Sequence, residues 1–153
     1  METSFRQEMR RAWAQLAADR KPNIAFTLGM GLSTTADRLN RDAMVFLNRI
    51  ERRANGPRWA SRPNDMRIWA LGFHEKRQSN WHLQAIGFAA PKIAERLVLD
   101  GSRIWKDVRM AGDYWADRIE DQAAYSRYVS KETWNEQAWA DVFVYAPPTW
   151  RDS

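Results

Sequence analysis

The hydrophobic pattern along this chain predicts alternating helices and strands. Residues 2–20 place apolar side chains at helical spacing between many arginines, which predicts an N-terminal amphipathic helix. The apolar run at 23–28 predicts a first strand. Residues 34–53 form one apolar helical stripe behind Ser33, a good N-cap, so a second helix is expected there.

The middle of the chain predicts an antiparallel hairpin. Two apolar runs rich in β-forming residues, at 68–75 and 81–88, flank a polar loop at 76–80. The remaining pattern predicts a helix at 92–100 that ends at Gly101, a strand at 102–110, a helix at 121–135 and a last strand at 142–145, with 112–120 unassigned.

The order of these elements predicts the fold class. Helices alternate with strands around a hairpin, which is typical of an α+β protein with helices packed on an antiparallel β-sheet, a ferredoxin-like sandwich. A length of 153 residues corresponds to one domain, expected over 1–153 with its core at about 23–146.

Alternation along the hairpin brings candidate metal ligands together. His82 and Gln84 project from the same face of their strand. If His74 lies opposite His82, two imidazoles and one amide oxygen share a thinly covered side of the sheet. The alternative is that these histidines are hydrogen-bonded structural groups.

Composition excludes several classes of chemistry. The absence of cysteine excludes disulfides, thiolate metal sites and cysteine nucleophiles. Neither a signal-peptide core nor an apolar run long enough for a membrane span is present, so a cytoplasmic protein without membrane association is expected. The 24 Lys and Arg against 19 Asp and Glu favour a polyanionic partner, and nine tryptophans exceed what one core needs.

An arginine-rich segment is the predicted nucleic-acid contact. It combines six guanidinium groups with one indole, which suit phosphate contacts and base stacking; the alternative is a solvated basic loop. The residues are Arg49, Arg52, Arg53, Arg58, Trp59, Arg62 and Arg67.

A tyrosine and a lysine on the predicted late helix are candidate catalytic residues. Tyr128 and Lys131 lie three residues apart, so their side chains are neighbours on one helical face. A phenol close to a cation is a competent nucleophile, and tyrosine attack suits phosphoryl transfer that must conserve a phosphodiester bond. The alternative is an ordinary pair of surface or packing residues.

Three short motifs in this order resemble those of the HUH endonuclease family. They are Phe26-Thr27-Leu28 at the end of the first strand, His82-Leu83-Gln84 in the hairpin, and Tyr128-Val129-Ser130-Lys131. The likeness is strongest to rolling-circle replication initiators (Rep proteins) of circovirus-like and plasmid replicons. The family's second motif is His-hydrophobic-His, and a variant with Gln in place of His, which this sequence matches, is typical of the circovirus-like branch.

The resemblance implies a site-specific single-stranded DNA endonuclease and strand transferase. His82 and Gln84 would bind Mg²⁺ or Mn²⁺, and Tyr128 would attack the DNA phosphate to give a 5′-phosphotyrosine link. Lys131 would neutralise the phosphate or help activate Tyr128. The substrate would be single-stranded or hairpin origin DNA of a plasmid, phage or virus-like element. A transposase or relaxase with the same chemistry, or a noncatalytic nucleic-acid-binding domain, is the alternative.

The chain departs from the family pattern at two points, the third metal ligand and the length. The family's Gly-x-Glu pattern becomes Gly72-Phe73-His74 here, so alternation favours His74 as third metal ligand, with Glu75 as the alternative if a bulge turns it inward. Tyr125 is either a second nucleophile or a packing residue. Circovirus-like initiators carry a helicase domain after the nuclease, whereas this chain ends at Ser153, so a host helicase or a truncated member is expected.

Overall fold

A computed structural model describes residues 22–31, 35–77, 80–120 and 142–147. Within them, the chain runs through β1 (Ile24–Gly29), α1 (Ala36–Asn55), β2 (Ile68–Arg77), β3 (Asn80–Ala89), α2 (Pro91–Leu99), α3 (Gly101–Val108), β4 (Tyr114–Arg118) and β5 (Val142–Tyr145). Two single-turn 3₁₀ helices, Trp59–Ser61 and Asn64–Met66, precede β2. The helices predicted at 2–20 and 121–135 lie outside the described residues.

The five strands form one antiparallel sheet in the order β4-β1-β3-β2-β5. The predicted α+β class with helices on an antiparallel sheet is therefore confirmed. β3 lies at the centre, between β1 and β2. None of the helices among the described residues has the length and apolar character that a membrane span requires.

The helices pack on one face of the sheet around buried aromatic rings. Phe46 of α1 lies between Phe26 of β1 and Trp105 of α3, with ring centroids 6.3 and 5.7 Å away. Trp105 is fully buried, and its indole nitrogen donates a hydrogen bond to the Gly29 carbonyl, 2.9 Å away. Because each buried ring removes much apolar surface from water, its burial contributes on the order of 2 kcal/mol to the stability of the fold.

The beginning of α1 differs from the sequence prediction. Thr35, and not Ser33, is the N-cap: its hydroxyl accepts a hydrogen bond from the Arg38 amide at 3.2 Å. The helix ends before Gly56, whose φ of 81° is a conformation that residues with a side chain rarely adopt.

The segment after α2 also differs from its prediction. The strand expected at 102–110 is wrong, because Gly101–Val108 is a helix. Ile104 and Val108 are four residues apart, a spacing that fits a helical face, and Trp105 completes that face. The chain then enters β4 at Tyr114, in the segment that the pattern left unassigned.

A buried polar network joins α1 to β2 and β5. The Arg67 guanidinium donates to both carboxylate oxygens of Glu51, and one of these also accepts the Ile68 amide at 3.1 Å. The Tyr145 hydroxyl donates to the other Glu51 oxygen and lies 3.0 Å from an oxygen of Asn48. Burial, together with the neighbouring Glu51 carboxylate, raises the pKa of Tyr145. The network therefore fixes β5 to α1.

Candidate functional site

The hairpin register decides which residues accompany His82. Arg77 pairs with Asn80, so Glu75 lies opposite His82 and His74 lies opposite Leu83. The prediction that His74 lies opposite His82 is wrong. It assumed a five-residue loop at 76–80, whereas only two residues separate the strands, and this moves the pairing by one residue.

His74 consequently belongs to the helix-facing side of the sheet. Its ring is buried, with Nε2 2.7 Å from the Asn40 side-chain oxygen on α1. Its ring centroid is 6.1 Å from that of Trp81. Since His82 and Gln84 project from the other face, His74 does not share a metal site with them, and the preference for His74 over Glu75 is corrected.

We call the face of the sheet directed away from the three described helices the outer face. Its two ends differ in how deeply their side chains are buried. At one end, Ala25, Leu71 and Ile86 occupy one cross-strand row and are all buried. At the other end, His82 and Gln84 are only partly buried. The two predicted ligands on β3 therefore lie on the part of the outer face that solvent reaches.

Thr27 of the first motif lies beside Gln84 on this face. The two residues are direct cross-strand partners on β1 and β3, and Trp115 of β4 continues the row with 46% of its surface exposed. Phe26, the other predicted residue of that motif, is buried in the helix-facing core. The structure thus brings two of the three motifs together.

The two nitrogens of the His82 imidazole have different surroundings, and neither makes a hydrogen bond among the described residues. Its Nε2 lies 3.7 Å from a carboxylate oxygen of Asp113, too far for a hydrogen bond. Its Nδ1 is buried without a hydrogen-bond partner among the described residues. An imidazole that is partly exposed and incompletely hydrogen-bonded is a suitable donor for a metal ion.

Asp113 is a site residue that the sequence did not predict. It immediately precedes β4, and its backbone exchanges hydrogen bonds with Gly29 at 2.8 and 3.2 Å. Gly29 is in turn the β1 partner of His82. Only the pairing of β4 with β1 brings the carboxylate to this place, and no local spacing in the sequence signals that pairing.

The donors on the outer face suit a hard divalent cation. His82 supplies a nitrogen, Gln84 an amide oxygen from the same strand face, and no thiolate is present, a combination that fits Mg²⁺ or Mn²⁺. The backbone of Glu75 faces His82 across the hairpin. Within the described residues, no three His, Cys, Asp or Glu side chains converge.

The arginine-rich segment lies away from these donors. It enters β2 at Ile68, whereas the position opposite His82 is Glu75, about 23 Å farther along the strand at the usual rise per residue. Five of its arginines are exposed: Arg49, Arg52, Arg53, Arg58 and Arg62. Of these, Arg53 lies 3.6 Å from the Asp100 carboxylate.

Arg67 is a correction to the predicted DNA-binding set. It is 7% exposed, and its guanidinium is bonded to Glu51 and lies 5.3 Å from the centroid of the half-buried Trp59 ring. The hydrogen bond to Glu51 raises the pKa of Arg67 above its ordinary value. These contacts make Arg67 part of the fold and not of a phosphate-binding surface.

The predicted catalytic residues Tyr128 and Lys131, and the second tyrosine Tyr125, lie outside the described residues. Comparison of the chain with protein-family models, with curated proteins and with solved structures gave no match.

Proposed function

We propose that this protein is a metal-dependent endonuclease of the HUH type that nicks and rejoins single-stranded DNA through a phosphotyrosine intermediate. The observation that carries the proposal is the pairing on the accessible outer face: His82 and Gln84 lie on the central strand, with Thr27 directly beside Gln84. These residues come from two motifs that are far apart in the sequence and adjacent in the sheet.

The strand order supports the ferredoxin-like part of the proposal. Within the described residues, the elements from β1 to β4 follow the order strand, helix, strand, strand, helices, strand. Their sheet order β4-β1-β3-β2 is the arrangement expected of that sandwich. β5 adds a fifth strand beside β2. The central hairpin then presents its outer face as the surface on which a site can be built.

His82 and Gln84 would hold Mg²⁺ or Mn²⁺, and the hairpin register favours Glu75 over His74 as their partner. When bound, the cation polarises the scissile phosphate and offsets its negative charge. The Tyr128 oxygen forms the new bond to phosphorus while the bond to the 3′ oxygen breaks. The phenolic proton is lost, the departing 3′ oxygen gains a proton, and Lys131 neutralises the phosphate.

The proposed substrate is single-stranded or hairpin origin DNA of a plasmid, phage or virus-like element, with a host helicase separating the strands. The five exposed arginines would contact phosphates, and Trp115 would stack on an unpaired base. Because the enzyme retains the bond energy in the phosphotyrosine, the free 3′-hydroxyl serves as primer and the link is later resolved by strand transfer.

Covalent-adduct formation tests this proposal. A single-stranded origin oligonucleotide labelled on the 3′ side of the nick, incubated with the protein and Mn²⁺, should give a labelled adduct that survives denaturing electrophoresis. Tyr128→Phe should abolish the adduct, because only the hydroxyl is lost, and Tyr125→Phe is the matched control that should retain it. An adduct that persists in Tyr128→Phe, or its absence with every divalent cation and every origin oligonucleotide, contradicts the proposal.

A noncatalytic nucleic-acid-binding domain is the second candidate. The observation that favours it is the separation of the arginine-rich segment from the His82 end of the sheet. Such a protein would bind single-stranded DNA with or without a divalent cation and form no adduct. DNA binding that is equal in the presence of Mn²⁺ and of a chelator, without any adduct, supports this candidate.

A further inference from the structure

We infer that Asp113 is a ligand of the divalent cation, and that its carboxylate reaches the site from the segment before β4, across β1 from His82. This inference deepens the proposed function and rests on it. It adds a donor from the segment that leads into β4, which the three short motifs do not include. The basis is the geometry of Asp113, Gly29 and His82, which lie side by side across three neighbouring strands.

Gly29 is the residue that lets the two side chains meet. A β-carbon built at position 29 would lie 1.7 Å from Asp113 Oδ1 and 3.0 Å from a ring carbon of His82. Any side chain there would therefore occupy the space that the carboxylate now crosses. The absence of that side chain places Asp113 within reach of an imidazole two strands away.

The backbone at Asp113 is held firmly, although 75% of its side chain is exposed. The Gly29 carbonyl accepts hydrogen bonds from both the Asp113 amide and the buried Trp105 indole. Gly112 packs so closely that a β-carbon there would lie 2.6 Å from both that carbonyl and the indole nitrogen. The carboxylate therefore projects from a fixed point beside His82, which reduces the entropy lost when a cation binds.

The two donors are too far apart for a direct contact and close enough to reach one cation. Neighbouring donors each about 2.1 Å from an octahedral cation lie about 3.0 Å apart, so a shift of about 0.7 Å in the exposed Asp113 side chain gives this pair the separation that a shared Mg²⁺ or Mn²⁺ requires. His82 Nε2 and Asp113 Oδ1 are 3.7 Å apart, beyond the range of a hydrogen bond. A carboxylate is also the donor that Mg²⁺ and Mn²⁺ prefer, and its charge would strengthen a site with neutral His82 and Gln84 donors.

Mn²⁺ affinity of the DNA-free protein, measured by calorimetry and by electron paramagnetic resonance of the free ion, tests this role. Asp113→Asn keeps the size of the side chain and removes its charge, so the Kd for Mn²⁺ should rise about ten-fold or more. Asp117→Asn is the matched control, because it makes the same change in net charge. Asp117 is exposed on β4, four residues after Asp113 and about 13 Å from it. Its Kd should stay within about two-fold, because long-range charge effects are screened.

Gly29→Ala provides a second, independent variant. It changes no charge and no donor, yet its methyl group displaces the Asp113 carboxylate, so it should raise the Kd for Mn²⁺ in the same direction. Circular dichroism and thermal unfolding confirm that each variant is folded.

An unchanged Kd in Asp113→Asn, an equal rise in Asp117→Asn, or wild-type protein that binds no Mn²⁺ overturns the inference. Mn²⁺ binding that depends on Asp113, without adduct formation, would uphold this ligand while the nickase proposal fails. An adduct together with an unchanged Kd in Asp113→Asn would uphold the nickase proposal while the ligand role of Asp113 fails.

Discussion

The Arg67 guanidinium donates to both carboxylate oxygens of Glu51, at 3.1 and 2.9 Å, in a place where neither residue is more than 7% exposed. Glu51 also holds the amide of Ile68 and the hydroxyl of Tyr145. One carboxylate of α1 thereby fixes the start of β2 and the end of β5. A charge-assisted pair in this position is a structural contact, although composition alone assigned Arg67 to nucleic acid.

Removing Arg67 should destabilise the fold. Arg67→Met leaves the Glu51 carboxylate buried without its cation, so the free energy of unfolding should fall by about 3–5 kcal/mol in urea denaturation. Arg62→Met, at an exposed position of the same segment, should change it by less than about 0.5 kcal/mol. Equal stability of the two variants would contradict the structural role of Arg67.

Alkaline pH should weaken the fold through Tyr114. Burial raises the pKa of its hydroxyl, which donates to the Leu97 carbonyl at 2.7 Å. Above about pH 10 the unfolded chain loses this proton while the folded chain keeps it, so the free energy of unfolding falls as pH rises, by up to about 1.4 kcal/mol per pH unit for this group. Tyr114→Phe should lessen that slope in urea titrations between pH 8 and 11; an unchanged slope would argue against it.

The two histidines should respond differently to substitution. His74→Ala removes a buried partner of Asn40, so unfolding should require about 1–3 kcal/mol less while the Kd for Mn²⁺ stays unchanged. His82→Ala should weaken Mn²⁺ binding with a smaller loss of stability. Calorimetry and thermal unfolding of both variants measure these two effects. A weakened affinity for Mn²⁺ in His74→Ala would contradict the register argument and support His74 as a metal ligand.

Trp115 should contribute to binding of single-stranded DNA. Its exposed ring continues the row of Thr27 and Gln84, and stacking on one base contributes about 1–3 kcal/mol. Trp115→Ala should therefore weaken binding by roughly 5- to 150-fold in fluorescence anisotropy with a labelled oligonucleotide, at 1.4 kcal/mol per decade. Val144→Ala, at a comparably exposed position on the opposite edge strand, is the control and should bind normally.

The exposed arginines should control the salt dependence of DNA binding. Each phosphate contact that is lost should lower the slope of log affinity against log salt by about 0.7 for single strands. We expect this decrease for Arg58→Ala and for Arg62→Ala, whose side chains are exposed. A salt slope that neither substitution changes would identify this stretch as a solvated basic loop.

Most of the described elements could be predicted because their patterns are local. The hairpin strands, β1, α1 and β5 each carry an apolar period that one element satisfies. α3 could not be assigned in this way, since its apolar residues are four apart in a short segment that alternation also fits. Trp105 became decisive only through its contact with Phe46, which no local pattern contains.

The candidate site was predicted only as far as a single strand determines it. His82 and Gln84 share a face because they are two residues apart on β3, whatever strand lies beside them. The residue opposite His82 depends on the position at which the pairing of β2 with β3 ends. The observed pairing differs from the predicted one by one residue, so Glu75 and not His74 lies opposite His82. Asp113 depends on β4 joining the sheet beside β1, a tertiary relationship that the sequence of neither strand expresses.

The number of residues between Arg77 and Asn80 therefore determines which side chains of β3 share a face with which side chains of β2. Adding or deleting one residue there leaves His82 on the outer face only if the connection or a bulge absorbs the change. Otherwise β3 shifts by one residue against β2, and Leu83 replaces His82 on that face. Length variation between the two strands, whether natural or engineered, is consequently compatible with the site wherever the pairing of His82 with Glu75 is retained.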